Sequence, residues 1–205
     1  MRLNQIGNRF IYRVRAHMDL LYSLKDSTSQ YHQQTEQIEF LKKIITKEIT
    51  LLEYKKLLCQ LYGFISPCEK VISPRFHYII EGREKSSLLN SDLSELNCDT
   101  SRDFLFCRNT PNLNTLPEVF GYLYVLEGST LGGQIITKLL NQNLQLLPVI
   151  PTRYFNAYGK QTRKYWDAFL KSLIDHDFNH IQKEKIVTSA INTFSSLYNW
   201  LKILA

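Results

Sequence analysis

Glycine and proline are scarce in this chain, and their scarcity restricts its fold more than any other feature. Eight glycines and six prolines occur in 205 residues, about 7% of the chain, where roughly 12% is usual. β-Sandwiches and propellers use these residues at every hairpin, so such folds are disfavoured. Apolar residues recur at helical spacing almost throughout. The sequence therefore predicts a single all-α domain, a bundle of helices.

The apolar periodicity and the positions of the breakers divide the chain into segments. The predicted helices are 20–37, 38–46, 51–66, 68–80, a short helix within 82–96, 119–140, 154–177 and 182–204. Two of these helices begin near a capping box, at Thr50–Glu53 and Thr115–Glu118. Pro67 predicts a break and Pro74 a kink. The predicted loops are 98–114 and the turn between Pro148 and Pro151.

The charge pattern excludes some classes of function. Lysine and arginine (25) exceed aspartate and glutamate (19), for a formal net charge of +6. No block of like charges forms a nucleic-acid-binding tail. A mildly basic chain of this kind suits an anionic small ligand or an acidic protein partner. No apolar run approaches the about 20 residues of a membrane span, so we predict neither nucleic-acid binding nor a membrane span.

The four cysteines are Cys59, Cys68, Cys98 and Cys107. They form no CxxC pair, and no cysteine–histidine cluster has the spacing of zinc ligands. Free thiols are typical of a reducing compartment, which predicts a cytoplasmic protein.

Residues 1–19 form a basic N-terminal extension ahead of a domain predicted to cover 20–205. Four arginines precede the first acidic residue, Asp19, and apolar residues fall among them at helical spacing. This pattern is typical of an organelle transit peptide or of a basic amphipathic helix packed on the domain. We favour the packed helix.

Three of the eight glycines, Gly128, Gly132 and Gly133, lie within six residues inside a predicted helix. Each helix-interior glycine costs roughly 0.5–1 kcal/mol relative to alanine. Gly128 and Gly132 are four residues apart and therefore share one helix face. A face without Cβ atoms permits either a large flat ligand or a closely packed second helix. The spacing leaves both interpretations open.

Lys25, His32 and Glu36 share one face of the predicted first helix, at spacings of seven and four residues. A metal-binding imidazole generally donates its other N–H to a carboxylate or carbonyl, and Glu36 is placed to accept it. A lone histidine is more often structural than a ligand. The i,i+4 pair His176 and His180 lacks an evident third ligand and fits a solvated face.

A histidine beside an acid, a lysine two turns away and a glycine-lined helix together suggest heme binding. The imidazole would ligate the iron from one side, and the glycine face would cover the other. The lysine would meet a propionate carboxylate.

Five blocks of the sequence, in this order, resemble the heme oxygenases, specifically the bacterial branch, some of which supply biliverdin to bacteriophytochromes. The blocks are Lys25–Thr28 with Tyr31, His32 and Glu36; Leu61–Phe64 with Pro67 and Glu69; Gly121–Gln134; Phe155, Tyr158, Gly159, Thr162, Trp166 and Phe169; and Thr193, Phe194, Leu197, Trp200 and Leu201. They cover about 20–201. The resemblance implies a helical bundle with heme sandwiched between the first helix and the glycine helix.

The resemblance also implies site residues. His32 is the expected iron ligand, Glu36 its hydrogen-bond partner and Lys25 a propionate ligand. Further contacts to heme are implied for Tyr124, Gly128, Gly132, Gly133, Tyr158 and Arg163. The residues expected to act in catalysis at the distal face are Gly128, Ser129 and Gly132.

Two positions depart from relatives. Ser129 stands where mammalian members carry aspartate, although bacterial members share the Glu-Gly-Ser form, so the proton-delivery group is left unassigned. Arg163 stands where many relatives have glycine, and it either adds a propionate contact or faces solvent.

The implied activity is oxidation of heme to biliverdin, CO and ferrous iron with O₂, heme being both cofactor and substrate. Electrons come from a separate acidic donor such as ferredoxin or a reductase, because the chain has no flavin or nicotinamide fingerprint. Three alternatives remain. The chain would be a heme carrier or sensor without turnover, a thiaminase-like or quinone-cofactor-synthesis enzyme, or a helical interaction protein whose glycines serve packing.

Overall fold

The computed structural model describes residues 2–98, 100, 104–143 and 149–203, with side chains from residue 19 onward. Seven α-helices occur within these ranges, with no strand among them. They are α1 (Arg2–Glu36), α2 (Glu39–Thr46), α3 (Leu51–Ile80), α4 (Ser86–Glu95), α5 (Leu116–Asn141), α6 (Thr162–Asp175) and α7 (His180–Leu201). A 3₁₀ turn, Gly159–Gln161, precedes α6. The all-α prediction is confirmed.

Helix α1 extends without interruption through the predicted boundary at residue 20. The predicted N-terminal extension is thus continuous in secondary structure with the first helix of the domain. Its separate character and the transit-peptide alternative stay predictions.

The break predicted at Pro67 is wrong, because α3 continues through this residue. A helix-interior proline leaves the carbonyl four residues earlier without its usual donor. Here that carbonyl belongs to Gly63, and it accepts the Cys107 amide at 2.9 Å. A neighbouring loop therefore satisfies the group that Pro67 leaves unpaired, and burial of the flanking Phe64 and Cys68 holds the helix in place.

The kink predicted at Pro74 occurs two residues later, where Phe76 leaves helical geometry with φ −129° and ψ 30°. The helix predicted from residue 154 begins only at Thr162. The preceding segment is a series of turns that includes Gly159, whose φ of +50° is left-handed and incompatible with continuing a helix. Pro148 lies outside the described residues.

Capping accounts for several helix starts. At α3 the Thr50 hydroxyl accepts the Glu53 amide, and the Glu53 carboxylate accepts the Thr50 amide at 2.9 Å. Asn179 and Gln182 form the same reciprocal pair at α7, with both distances 2.9 Å. This last box starts α7 at His180, two residues earlier than the apolar pattern predicts.

Helix α5 is the centre of the bundle and packs on α2, α3, α6 and most extensively on α7, which also carries α1. The crossing with α7 is close, since a Cβ on Gly121 would lie 2.6 Å from Ser189 Cβ. At the same crossing the Ser189 hydroxyl donates to the Glu118 carbonyl at 2.7 Å. The packing places α1 and α5 on opposite sides of a cleft, which holds the candidate site.

Two general properties of the described part of the chain complete the fold. None of its helices has the length and apolarity needed to cross a membrane. Its cysteines are free thiols, buried at Cys68 and Cys107 and half-buried at Cys59 and Cys98.

Candidate functional site

A cavity of about 750 Å³ lies between α1 and α5 and is closed by parts of α3, α6 and α7. Its volume falls within the range of small-molecule and cofactor sites. Eight residues predicted from sequence line it: Lys25, His32, Glu36, Tyr124, Gly128, Ser129, Gly132 and Gly133. The fold thus brings the histidine face and the glycine face to opposite walls of one cleft.

His32 is paired with Glu36 one turn further along α1, as the spacing predicts. Its Nδ1 lies 3.5 Å from Glu36 Oε1, and each side chain is 57% exposed. In this arrangement Nδ1 is directed at the Glu36 carboxylate, and Nε2 is the ring nitrogen left for a metal. Nε2 has no hydrogen-bond partner within the described part of the chain. The edge of the ring meets Phe194 of α7, with centroids 6.0 Å apart.

The three clustered glycines differ in the space that surrounds them. A Cβ on Gly132 would meet no atom within 4 Å, so this position opens directly onto free space in the cleft. A Cβ on Gly128 would make ordinary contact with Trp166 at 3.6 Å. A Cβ on Gly133 would collide with the carbonyl of Phe155. Gly132 therefore leaves room for a ligand at the helix backbone, whereas Gly133 is required for close packing.

Two hydroxyl-bearing residues of α5 border this glycine face. The Ser129 hydroxyl donates to the Leu126 carbonyl at 2.8 Å, which leaves its oxygen lone pairs available as acceptors. Burial raises the pKa of Tyr124, and a hydrogen bond with Thr28 of α1 opposes the shift. Tyr124 is therefore a neutral phenol at the cleft lining.

Tyr154 and Lys85 also line the cleft, and the sequence analysis missed both. Burial raises the pKa of Tyr154 well above its ordinary value, although a hydrogen bond with Ser129 opposes this effect. Lys85 lies between α3 and α4 with its side chain only 3% exposed. No spacing rule connects either residue to the histidine or glycine helices, so only tertiary packing reveals them.

The buried ammonium of Lys85 is compensated by Glu127 of α5. Lys85 Nζ lies 2.8 Å from Glu127 Oε1, and Arg83 Nη1 lies 2.7 Å from Glu127 Oε2. Burial lowers the pKa of Lys85, while the nearby Glu127 raises it in opposition. Lys85 carries this charged cluster to the cleft lining, and Glu127 immediately precedes Gly128 in the chain.

The donor set fits heme better than a bare metal ion. Within the ranges that the structure describes, no group of three or more His, Cys, Asp or Glu side chains is placed to hold an ion. A heme iron needs only one axial imidazole from the protein, and His32 is placed in the cleft lining to offer one. In the i,i+4 pair His176 and His180, the Nδ1 atom of His176 lies 2.7 Å from the Ser172 carbonyl oxygen. The His176 ring stacks on Phe178.

The family model for heme oxygenase matches residues 18–202. The chain belongs to the heme oxygenase family. Cleavage of heme is the activity of this family of enzymes. No curated protein matches the chain at the level of sequence.

Three solved heme oxygenases share the fold. Heme oxygenase-1 of the cyanobacterium Synechocystis sp., solved in complex with heme, is 18% identical to this chain and has a TM-score of 0.74. The match covers 90% of this chain and 91% of the cyanobacterial chain. The Leptospira interrogans enzyme is 16% identical with a TM-score of 0.74, covering 89% and 98%. The Neisseria meningitidis enzyme, solved with NO and CO bound, is 18% identical with a TM-score of 0.71, covering 89% and 90%.

Two residues expected to contact heme lie outside the cleft lining of this heme oxygenase. The Tyr158 hydroxyl is held instead by Glu127 at 2.8 Å and by Lys85 at 2.7 Å. The Arg163 side chain is 78% exposed and pairs with Asp167 at 2.9 Å. Their direct contact with heme stays a prediction without geometric support, and Arg163 takes the solvent-facing option.

Proposed function

We propose that this heme oxygenase binds heme between α1 and α5 and converts it to biliverdin, CO and ferrous iron. The observation that carries the proposal is the opposition of His32 to the open position at Gly132 across one cleft. A flat macrocycle needs a ligand atom on one side and a wall without side chains on the other. The alternative of a helical interaction protein does not account for the unfilled space at Gly132.

The α1 side of the cleft supplies the proximal contacts. His32 binds iron through Nε2, while its Nδ1 proton is directed at Glu36, which fixes the tautomer and the ring orientation. The edge contact with Phe194 restrains the ring further. Lys25 lies exposed at the rim of the cleft, where its ammonium pairs with a propionate in contact with water.

The α5 side supplies the distal contacts. Gly128 and Gly132 let the backbone approach the macrocycle, and Tyr124 borders its edge. Ser129 and Tyr154 form the polar part of this wall, and either hydroxyl would orient a water molecule beside the bound heme. Bound heme supplies the iron that activates O₂ and is itself the molecule oxidised.

Electrons reach the site from a separate donor, a ferredoxin or a reductase with an acidic docking face. The net charge of +6 favours encounter with such a partner. Placement in the cytoplasm agrees with four free thiols. The resemblance favours the bacteriophytochrome-associated branch, in which the product is a chromophore precursor.

The proposal is tested by heme titration followed by turnover. Purified protein with heme is expected to develop a Soret band at one equivalent. Addition of ascorbate or reduced ferredoxin in air is then expected to replace that band with the absorbance of biliverdin. Absence of the Soret complex refutes heme binding. A stable complex that never yields biliverdin refutes the catalytic proposal and leaves a heme carrier.

A further inference from the structure

We propose that Glu127 is a positioning residue that sets the distance between Trp166 and the glycine face of α5, and thereby the orientation of the bound macrocycle. The proposal rests on the proposed function for the identity of that ligand. The geometry itself involves the protein alone.

Glu127 is 1% exposed and uses both carboxylate oxygens. Oε1 accepts from Lys85 Nζ and from the Tyr158 hydroxyl, each at 2.8 Å. Oε2 accepts from Arg83 at 2.7 Å. One side chain of α5 therefore anchors two separate segments, the connection between α3 and α4 and the turns before α6.

Two of the groups that bond to Glu127, Arg83 and Tyr158, also contact α6. Arg83 Nη1, which holds Glu127, also lies 3.4 Å from the Tyr165 carbonyl. The rings of Tyr158 and Tyr165 stack with centroids 4.0 Å apart and an interplanar angle of 7°. Glu127 thus restrains Tyr165 through both Arg83 and Tyr158.

Both Glu127 and Tyr165 are followed in the chain by a residue that lines the cleft. Gly128 follows Glu127, and Trp166 follows Tyr165. The Trp166 ring lies 3.6 Å from the place where a Cβ of Gly128 would be. The distal wall is consequently uneven, bordered by Trp166 at Gly128 and open at Gly132. A flat, asymmetric ligand with its charged groups on one edge is oriented by such a wall, and its orientation decides which part of the macrocycle is oxidised.

Stability alone is a weak reason for this arrangement. A buried ion pair is often no more stabilising than apolar residues of the same volume. Such a cluster does hold its partners in one defined geometry, and here the partners carry Trp166. Loss of a hydrogen bond to Glu127 would let Trp166 move away from Gly128. The wall would then be open at Gly128 as it is at Gly132.

The test compares Glu127→Gln with Glu118→Gln. Glu118 is a matched control because it is also a buried glutamate of α5, yet it bonds Lys185 and the Thr115 amide. One readout is acrylamide quenching of Trp166, obtained as the difference from the corresponding Trp166→Phe protein and needing no heme. The other is the isomer composition of the biliverdin made by the heme-loaded enzyme.

We expect Glu127→Gln to raise the quenching constant of Trp166 about twofold and to increase the share of minor isomers, since small displacements in a site change its output strongly. We expect Glu118→Gln to change neither quantity, even where it lowers the melting temperature. A Glu127→Gln protein with unchanged quenching and unchanged isomers overturns the proposal, whatever its stability.

Two further outcomes are also decisive. If Glu127→Gln does not fold, Tyr158→Phe removes one hydroxyl from the cluster and keeps the ring stack, and it must shift both readouts in the same direction. If the wild type forms no Soret complex, the proposed function fails, and the quenching comparison still decides whether Glu127 positions Trp166.

Discussion

The ring of His32 on α1 meets the ring of Phe194 on α7 edge to face, with centroids 6.0 Å apart and planes inclined by 71°. The contact ties the proposed iron ligand to a second helix. The ring is thus restrained from two directions, by Phe194 on one side and by Glu36 within its own helix.

His32→Ala is expected to abolish the histidine-ligated heme spectrum, because the imidazole is the proposed axial ligand. The measurement is the optical spectrum of the heme complex. His180→Ala is the matched control, since His180 forms an i,i+4 pair with Glu184 at the same 3.5 Å on an exposed surface. An unchanged spectrum in His32→Ala contradicts the ligand assignment.

Gly132→Ala is expected to separate stability from binding. The new Cβ has free space around it, so the helix gains about 0.5–1 kcal/mol from the better propensity of alanine. The same methyl group intrudes on the ligand, and heme affinity should fall about tenfold, or 1.4 kcal/mol. Denaturant unfolding and heme titration measure the two effects, and equal heme affinity in mutant and wild type would remove Gly132 from the site.

Gly133→Ala is expected to act in the opposite sense on stability. Its Cβ collides with the Phe155 carbonyl, which is backbone and has little freedom to move. Overpacking of this kind costs about 1–3 kcal/mol of the free energy of unfolding. A Gly133→Ala protein as stable as Gly132→Ala would show that the two glycines do not differ in role.

Glu53 should make the stability of the fold depend on pH in the acidic range. Hydrogen bonds from Lys43 and from the Thr50 amide lower its pKa from 4.5 to about 2. A carboxylate with a lowered native pKa stabilises the fold fully above its unfolded pKa and loses that effect as pH falls through its native value. Glu53→Gln should therefore differ most from wild type near pH 6, and the two should converge as pH falls from 4.5 towards 2.

Melting temperatures over that pH range measure the effect. Glu39→Gln is a suitable comparison, since it removes only the longer 3.6 Å contact to the same Lys43. A difference between Glu53→Gln and wild type that stays constant with pH would assign the effect to lost packing instead of charge.

Residues within one helix were well placed by sequence spacing. Helical periodicity alone puts Lys25, His32 and Glu36 on one face and Gly128 and Gly132 on another, because 3.6 residues make each turn. The structure places all five in the lining of one cleft. Local register is a property of short segments, and it is therefore visible before the fold is known.

Tertiary contacts overturned one local expectation and gave no support to another. Pro67 predicts the end of a helix, yet the Cys107 amide, forty residues away, satisfies the carbonyl of Gly63. Tyr158 matches a heme-binding block, yet its hydroxyl bonds to Glu127 and Lys85, and the residue lies outside the cleft lining. In both cases a partner distant in sequence supplies the contact.

The amino-acid sequence by itself determined the helical class and the register that groups Lys25, His32 and Glu36 on one helix face and the glycines on another. Only the tertiary structure decided that Gly133 serves packing while Gly132 opens to the cleft, and that Lys85 and Tyr154 join the cleft lining. The reason is physical. Which face a residue occupies follows from the repeat of its own helix, whereas what meets that face depends on how separate helices pack.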